Sequence, residues 1–362
     1  MQIRAAVVRA GSAVPGFETV ELESPRAGEV LVRIAAVGVC HTDIRVAHRE
    51  SFARPIVLGH EGAGVVEAVG EGVDDLKAGD RVAMSYAFCG QCAVCGHGAP
   101  AYCLHTLQLN FAGRREDGST PLSSAGEPLA HFFGQSAFAT HAVCAARSVV
   151  RAPGDMPFEL LAPLGCGVQT GAGAMLNSLE VQPGQAVAVF GTGSVGLSAV
   201  MAARAVGAGP IIAVDVNAAR LALARELGAD AAIDASAGDP VEQVKALTGG
   251  LGADLVLNTT DRPEVYLQGI AALAPLGTFG FVTSPGAELP LNLSPILLGG
   301  RRIRGIVQGD SRPREFIPRL MDLWRDGRFP IERLVTTYRF DQLPQAMADS
   351  EAGVAVKPVL LL

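Results

Sequence analysis

The stretch Gly191-Thr-Gly193-Ser-Val-Gly196 stands between an apolar run at 186–190 and a helical pattern at 195–206. It restricts the fold more tightly than any other part of the chain, because each glycine answers a different steric demand. The first makes a tight turn, the second lets a pyrophosphate approach the backbone, and the third lets helix and strand pack closely. The helix start that follows offers unpaired N–H groups to phosphate oxygens. Asp215 ends the next apolar run, 19 residues past Gly196, where an acid accepts from both ribose hydroxyls and repels a 2′-phosphate. Strand, glycine loop, helix and acid together predict an NAD site in which Gly191, Gly193, Ser194, Val195, Gly196 and Asp215 take part.

Around this loop the pattern alternates. Strands are expected at 186–190, 211–214, 231–233, 254–258, 278–282 and 303–307, with helices at 195–206, 218–227, 241–247 and 264–273. Such alternation builds a parallel sheet covered on both faces. Residues 1–150 read differently, as β-rich runs at 29–37, 65–69 and 81–84 between Gly, Pro and Asp turns, and the tail closes on a strand-like 354–361. The fold class is therefore α/β, a doubly wound parallel sheet joined to a β-rich part. The chain's 362 residues, 49% of them hydrophobic and 18% charged, suffice for two domains and exclude a mainly disordered state. A net charge of −7, with both signs mixed, argues against a nucleic-acid partner. Residues 181–203 are uncharged over a membrane-like length, but they hold the glycine loop and Pro183, so no membrane span is expected. With Arg4 and Arg9 interrupting the first apolar stretch, no signal core is seen and a cytoplasmic protein is expected.

Seven cysteines are unevenly spread. Cys89, Cys92, Cys95 and Cys103 place four thiols in one loop, which suits a closed, structural zinc site better than a disulfide framework. An iron–sulfur cluster is the competing occupant, but the ferredoxin spacing after the third cysteine is absent. The remaining candidates are dispersed. Cys40-His41-Thr42-Asp43 follows one strand, His60-Glu61 precedes another, and Cys166 lies near the start of the dinucleotide-binding region. Two thiolates and an imidazole would leave a fourth metal position open for chemistry. Spacing alone does not join them, and each has a plain structural reading. Cys144 reads as a small core residue, and His97, His105, His131 and His141 as structural or surface residues.

Taken in order, Gly38-Val-Cys40-His41-Thr42-Asp43, Gly59-His60-Glu61-Gly62-Ala-Gly64, the four-cysteine loop, Cys166, and the glycine loop with Asp215 resemble the zinc-containing medium-chain alcohol dehydrogenases over nearly the whole chain. Phe132-Phe-Gly-Gln-Ser-Ala-Phe-Ala-Thr-His141, the stretch from Pro163 to Gly173, and Arg304-Gly-Ile-Val-Gln-Gly-Asp310 look most like the bacterial aryl-alcohol (benzyl alcohol) dehydrogenases. The resemblance implies a GroES-like catalytic domain at 1–167 and 308–362, a Rossmann domain at 168–307, and an active site in the cleft between them. It implies two zinc ions per chain, one catalytic on Cys40, His60 and Cys166 and one structural on the four-cysteine loop.

The same resemblance assigns Asp43 to orient His60, Glu61 to act as a transient ligand, and Thr42 to pass the alcohol proton. His41 and Lys357 fall near the cofactor pyrophosphate, Arg220 near the adenosine ribose, and Thr170 near the nicotinamide. The implied reaction is reversible, NAD-dependent oxidation of a benzylic alcohol by hydride transfer from a zinc-bound alkoxide. Alternatives are an allylic terpene alcohol such as geraniol, a thiol adduct of formaldehyde, or a non-catalytic NAD- and zinc-binding protein on the same scaffold. Where many members carry the histidine that ends the proton relay, this chain has Arg45, which cannot act as a base; His41 or His48 is the expected substitute. Ser85, Val307 and residues around Phe111 are expected near the substrate, and Phe52, Tyr86 and Phe88 either shape an apolar pocket or pack as core. A homo-oligomer, dimer or tetramer, pairing near 303–307 is also implied.

Overall fold

In the computed structural model, residues 1–152 and 154–362 are described. They divide into two compact units. The first comprises Met1–Gly167, Arg312–Met321 and Glu332–Leu362; the second comprises Val168–Ser311 and Asp322–Ile331. The chain thus returns to the first unit at Arg312, later than the position 308 expected from sequence, and then lends residues 322–331 to the second unit.

The first unit contains a closed barrel of Gln2–Val8, Gly16–Leu22, Leu122–Ser124, Glu127–His131 and Ile56–Val57. Beside it runs a sheet ordered Val149–Arg151, Arg81–Met84, Gly62–Val69, Glu29–Gly38, Lys357–Leu361 and Val335–Arg339, with His141–Ala145 also paired to Glu29–Gly38. Alternation sets the faces: Val30, Val32 and Ile34 enter the core while Arg33 points to water. Two pairings position the site. Val37 lies opposite Gly62, and Gly38 lies opposite Val359, so the residues at these strand ends, Cys40, His60, Glu61 and Lys357, are brought to one edge.

The second unit carries a parallel sheet ordered Ala231–Asp234, Ile211–Asp215, Val187–Phe190, Ala253–Asn258, Leu273–Phe281 and Arg302–Gly305. Numbered along the chain this is third, second, first, fourth, fifth, sixth, the doubly wound order. Val187–Phe190 is buried along its whole length, as a central parallel strand must be, and Phe190, Val214, Tyr266 and Phe279 meet in its core. Each fully buried side chain of this size contributes roughly 1.5–3 kcal/mol. Helix Ser194–Val206 stops at Gly207, whose φ of 86° is left-handed and whose N–H returns to the carbonyls of Ala203 and Arg204.

One expectation shifts. Residues near 273 read as the end of a helix, but helix Pro263–Ala271 stops earlier and Leu273 already pairs with Ala253. The register then slips, Leu255 facing Thr278, across a segment containing Pro275 and Gly277 that masks strand periodicity. The uncharged run 181–203 divides between a loop, strand Val187–Phe190 and the start of helix Ser194–Val206. Among the described residues no helix is long and apolar enough to cross a membrane.

Candidate functional site

In the first unit two clusters of metal-ligating side chains form, each with its ligand atoms within 4.8 Å of one another: Cys89, Cys92, Cys95 and Cys103, and Cys40, His60, Glu61 and Cys166. All seven cysteines are free thiols.

The four-cysteine loop is organised by its own backbone. The amides of Gln91 and Cys92 donate to Cys89 Sγ, that of Cys95 to Cys92 Sγ, and those of Cys89 and His105 to Cys103 Sγ, at 3.3–3.5 Å. Such donors stabilise negative sulfur. Amide bonds from Leu104 and Cys95 lower the Cys92 pKa to about 6, whereas burial raises that of Cys95 to about 12. Cys89 Sγ and Cys95 Sγ lie 3.9 Å apart. A tetrahedral ion with bonds of ~2.3 Å asks for sulfurs about 3.8 Å apart, so the loop fits zinc.

The second cluster is assembled from distant segments. Cys40 caps helix His41–His48, and the Asp43 carboxylate turns back to accept from the Cys40 amide at 3.1 Å. The same carboxylate accepts from Gly59 N and faces His60 Nδ1, both at 2.9 Å. Asp43 therefore ties two candidate ligands together and fixes the imidazole tautomer with the proton on Nδ1. His60 Nε2 is left facing away from Asp43, and it is buried with no hydrogen-bond partner among the described residues. An orphaned buried ring nitrogen grouped with two thiols fits a metal ligand. Donation from the Cys166 thiol holds the Cys40 pKa well below the ordinary thiol value and its own well above it. Burial opposes protonation of His60, but the charges of Asp43 and Cys40 outweigh it and raise its pKa.

Glu61 completes the group but is engaged elsewhere. Lys357 Nζ, 2% exposed, donates to both Glu61 oxygens at 3.0 Å and to the Val39 carbonyl at 3.2 Å, and Gly167 N donates to Glu61 Oε1. Contact between Lys357 and a phosphate would require one of these bonds to open. Thr42 is half-buried in the first turn of helix His41–His48, and His41 is exposed beside it. His48 ends that helix with Nε2 3.5 Å from Glu351. The half-buried Arg45 lies between them.

Aromatic rings gather on His60. Phe133 stacks on the imidazole at 4.4 Å, Phe132 meets it edge-on at 5.6 Å, and Phe111 packs against both phenylalanines. Phe52 joins at Phe111, whereas Tyr86 and Phe88 pair with each other. Phe133, Gly134 and Ser136 all have φ between 51° and 61°, a left-handed run that brings two adjacent rings to one imidazole. Sequence reasoning did not find this arrangement, since it depends on backbone conformation rather than residue type.

In the second unit the glycine loop is built as its spacing requires. A Cβ on Gly191 would strike Thr259 and Thr260, and one on Gly196 would lie 1.8 Å from the Gly191 carbonyl, whereas over Gly193 there is open space. Gly193 caps helix Ser194–Val206, whose first amides donate to no side-chain cap among the described residues. The open backbone at Gly193 and the uncapped helix start form a cradle that fits a diphosphate. Asp215 Oδ2 accepts from Thr192 N at 2.6 Å and Thr192 Oγ1 at 2.8 Å, and its Oδ1 from the amides of Val216 and Asn217. Thr192, hidden inside the motif as a variable position, thus orients the acid. Thr170 Oγ1 lies 3.5 Å from Gln308 Oε1, and Arg220 sits in helix Ala218–Glu226 with its Nε buried and unpartnered among the described residues.

Two family models match the chain: an alcohol dehydrogenase GroES-like domain over residues 26–154 and a zinc-binding dehydrogenase over 194–325. A geraniol dehydrogenase of Castellaniella defragrans is 50% identical, over 99% of this chain and 97% of its own length. The chain belongs to the zinc-binding alcohol dehydrogenases. Among solved members of this family, an alcohol dehydrogenase zinc-binding domain protein from Burkholderia ambifaria superposes with a TM-score of 0.98 at 50% identity, covering 100% of this chain and 99% of that one. Benzyl alcohol dehydrogenase from Acinetobacter calcoaceticus gives 0.97 at 41% identity, over 100% and 99%. Family membership makes the chain a medium-chain, GroES-like and Rossmann-type oxidoreductase.

Proposed function

We propose that the chain oxidises a primary alcohol whose carbinol carbon adjoins an aromatic ring, benzyl alcohol being the simplest, to its aldehyde, with NAD as hydride acceptor and zinc held by Cys40, His60 and Cys166. The observation that carries this reading is the orphaned His60 Nε2 beneath stacked Phe133. It pairs an electron donor for a metal with a flat apolar wall. Zinc, when bound, acts as a Lewis acid that eases removal of the alcohol proton, and NAD accepts the hydride.

The remaining work falls to the chain's own groups. Asp43 keeps the His60 proton on Nδ1, so that Nε2 stays available. Thr42 passes the substrate proton onward, since a hydroxyl donates and accepts together. Arg45 cannot take that proton, which leaves His41 or His48 as its exit. Glu61, balanced by Lys357, supplies a carboxylate near the metal without adding uncompensated charge. The second zinc belongs on Cys89, Cys92, Cys95 and Cys103, where it leaves no open position and serves stability alone.

A second reading, an allylic terpene alcohol, is favoured by the 50% identity to geraniol dehydrogenase. Both substrates give a conjugated aldehyde, and a panel of benzyl alcohol, geraniol, ethanol and formaldehyde plus thiol separates the readings. The proposal expects kcat/KM for benzyl alcohol to exceed that for ethanol by at least about 100-fold, since an aromatic ring buried against Phe133 adds several kcal/mol of binding. Preference for geraniol moves the assignment to the allylic class, and activity confined to formaldehyde plus thiol refutes both.

The cofactor part has its own test. Thr192→Val removes one charge-assisted hydrogen bond from Asp215 while keeping the backbone bond. NADH binding, read by fluorescence titration, is expected to weaken roughly tenfold. An unchanged affinity would show that Thr192 does not prepare the acid for the ribose.

A further inference from the structure

Asp43 accounts for how Cys40 and His60 are held together, but the third candidate ligand, Cys166, comes from a turn far along the chain. A second polar bridge reaches it. Gln135 is buried, 1% exposed, between the left-handed residues Gly134 and Ser136 that follow Phe133. Its Nε2 donates to the His60 carbonyl at 3.0 Å and to the Ser85 carbonyl at 3.1 Å, and its Oε1 accepts from Gly62 N at 3.2 Å. Ser85, itself buried, donates through Oγ to the Gly165 carbonyl at 2.8 Å, at the peptide that enters Cys166. A Cβ on Gly165 would lie 2.1 Å from the Met84 carbonyl, so this turn is seated directly against the strand that ends before Ser85.

We propose that Gln135 and Ser85 are positioning residues that set the His60 backbone and the Cys166 turn at a fixed separation, doing for His60 and Cys166 what Asp43 does for Cys40 and His60. The inference rests on the reading that Cys40, His60 and Cys166 hold a metal. The physical reason is stiffness. Asp43 fixes the imidazole's tautomer and tilt, but nothing in that bond fixes the distance from the ring to Cys166. An amide making three hydrogen bonds to backbone atoms, followed by a hydroxyl making a fourth, removes that freedom without placing a charge beside the thiols.

The four-cysteine loop shares no residue with this bridge and provides an internal control. Gln135→Met removes all three amide bonds, and Ser85→Ala removes the Oγ donation to the Gly165 carbonyl at little cost in packing. Each variant and the parent are loaded with zinc, total zinc per chain is measured, and release to a chromogenic chelator is followed in time, with Cys40→Ser and Cys92→Ser marking which phase belongs to which site. In both bridge variants the expected result is a 10–100-fold weaker hold on the Cys40-dependent zinc, with the Cys92-dependent phase unchanged. Cobalt(II) at the same site should show a shifted visible spectrum in Ser85→Ala. Parent-like release of the Cys40-dependent zinc in Ser85→Ala and Gln135→Met overturns the proposal, as does equal acceleration of both phases, which would mark a purely structural role. A parent whose zinc content is unaffected by Cys40→Ser overturns the underlying metal reading, and the bridge's assignment with it.

Discussion

Replacing His60 with alanine is expected to lower kcat/KM for the preferred alcohol by on the order of 10³-fold or more. A Lewis acid contributes several kcal/mol to a reaction of this kind, and about 4 kcal/mol is three orders of magnitude. His60 contributes the one nitrogen of that group, and its Nε2 is buried with no hydrogen-bond partner among the described residues. Its removal also frees the Asp43 carboxylate, which then holds only the amides of Cys40 and Gly59. NADH affinity, which we propose rests on Gly191–Gly196 and Asp215 in the other unit, is expected to stay within about twofold, so that binding and turnover part company. Steady-state kinetics beside an NADH titration checks this. Near-parental turnover in His60→Ala would remove the metal from the account.

Lys357→Met is expected to be the most destabilising single change in the first unit, by about 3–5 kcal/mol. The ammonium is buried among the two Glu61 oxygens and the Val39 carbonyl; burial lowers its pKa, but the charges of Glu61, Cys40 and Cys166 and the Glu61 hydrogen bonds together outweigh that and raise it. Without it, Glu61 keeps a buried carboxylate whose main compensation is gone. A Cβ on Gly38 would lie only 2.0 Å from Glu61 Oε2, so the carboxylate has no room to move toward that strand. Adding Glu61→Gln to Lys357→Met should recover much of the loss, because the unpaired charge rather than the missing methylenes dominates. Urea unfolding of both singles and the double measures the coupling. Additive losses would contradict the pair's role.

These two residues also mark where sequence reading succeeds and stops. Gly191, Gly193, Gly196 and Asp215 are legible because their chemistry is local, one turn and one strand apart, and so are the four thiols between Cys89 and Cys103. Cys40, His60 and Cys166 are not joined by spacing. The pairing of Val37 with Gly62 and the turn at Ala162–Gly165 bring them together, and only the family resemblance anticipates it. The family resemblance places Lys357 near the cofactor pyrophosphate, but nothing in Val-Lys357-Pro reveals the Glu61 carboxylate that arrives from another strand. Gln135 and Ser85 were invisible as a bridge because their partners are backbone carbonyls and an amide, which carry no side-chain signature. Phe133 became informative only once its left-handed φ placed it on His60.

Metal-dependent oxidation of a conjugated alcohol by NAD is tested by zinc depletion with reconstitution. NADH formation from benzyl alcohol and from geraniol is followed as the Cys40-dependent zinc is withdrawn by chelator and then restored. The rate is expected to fall in proportion to that zinc and to return when it is added back. Full alcohol oxidation by protein lacking that zinc, or no NADH from either alcohol by protein that retains it, would contradict the account.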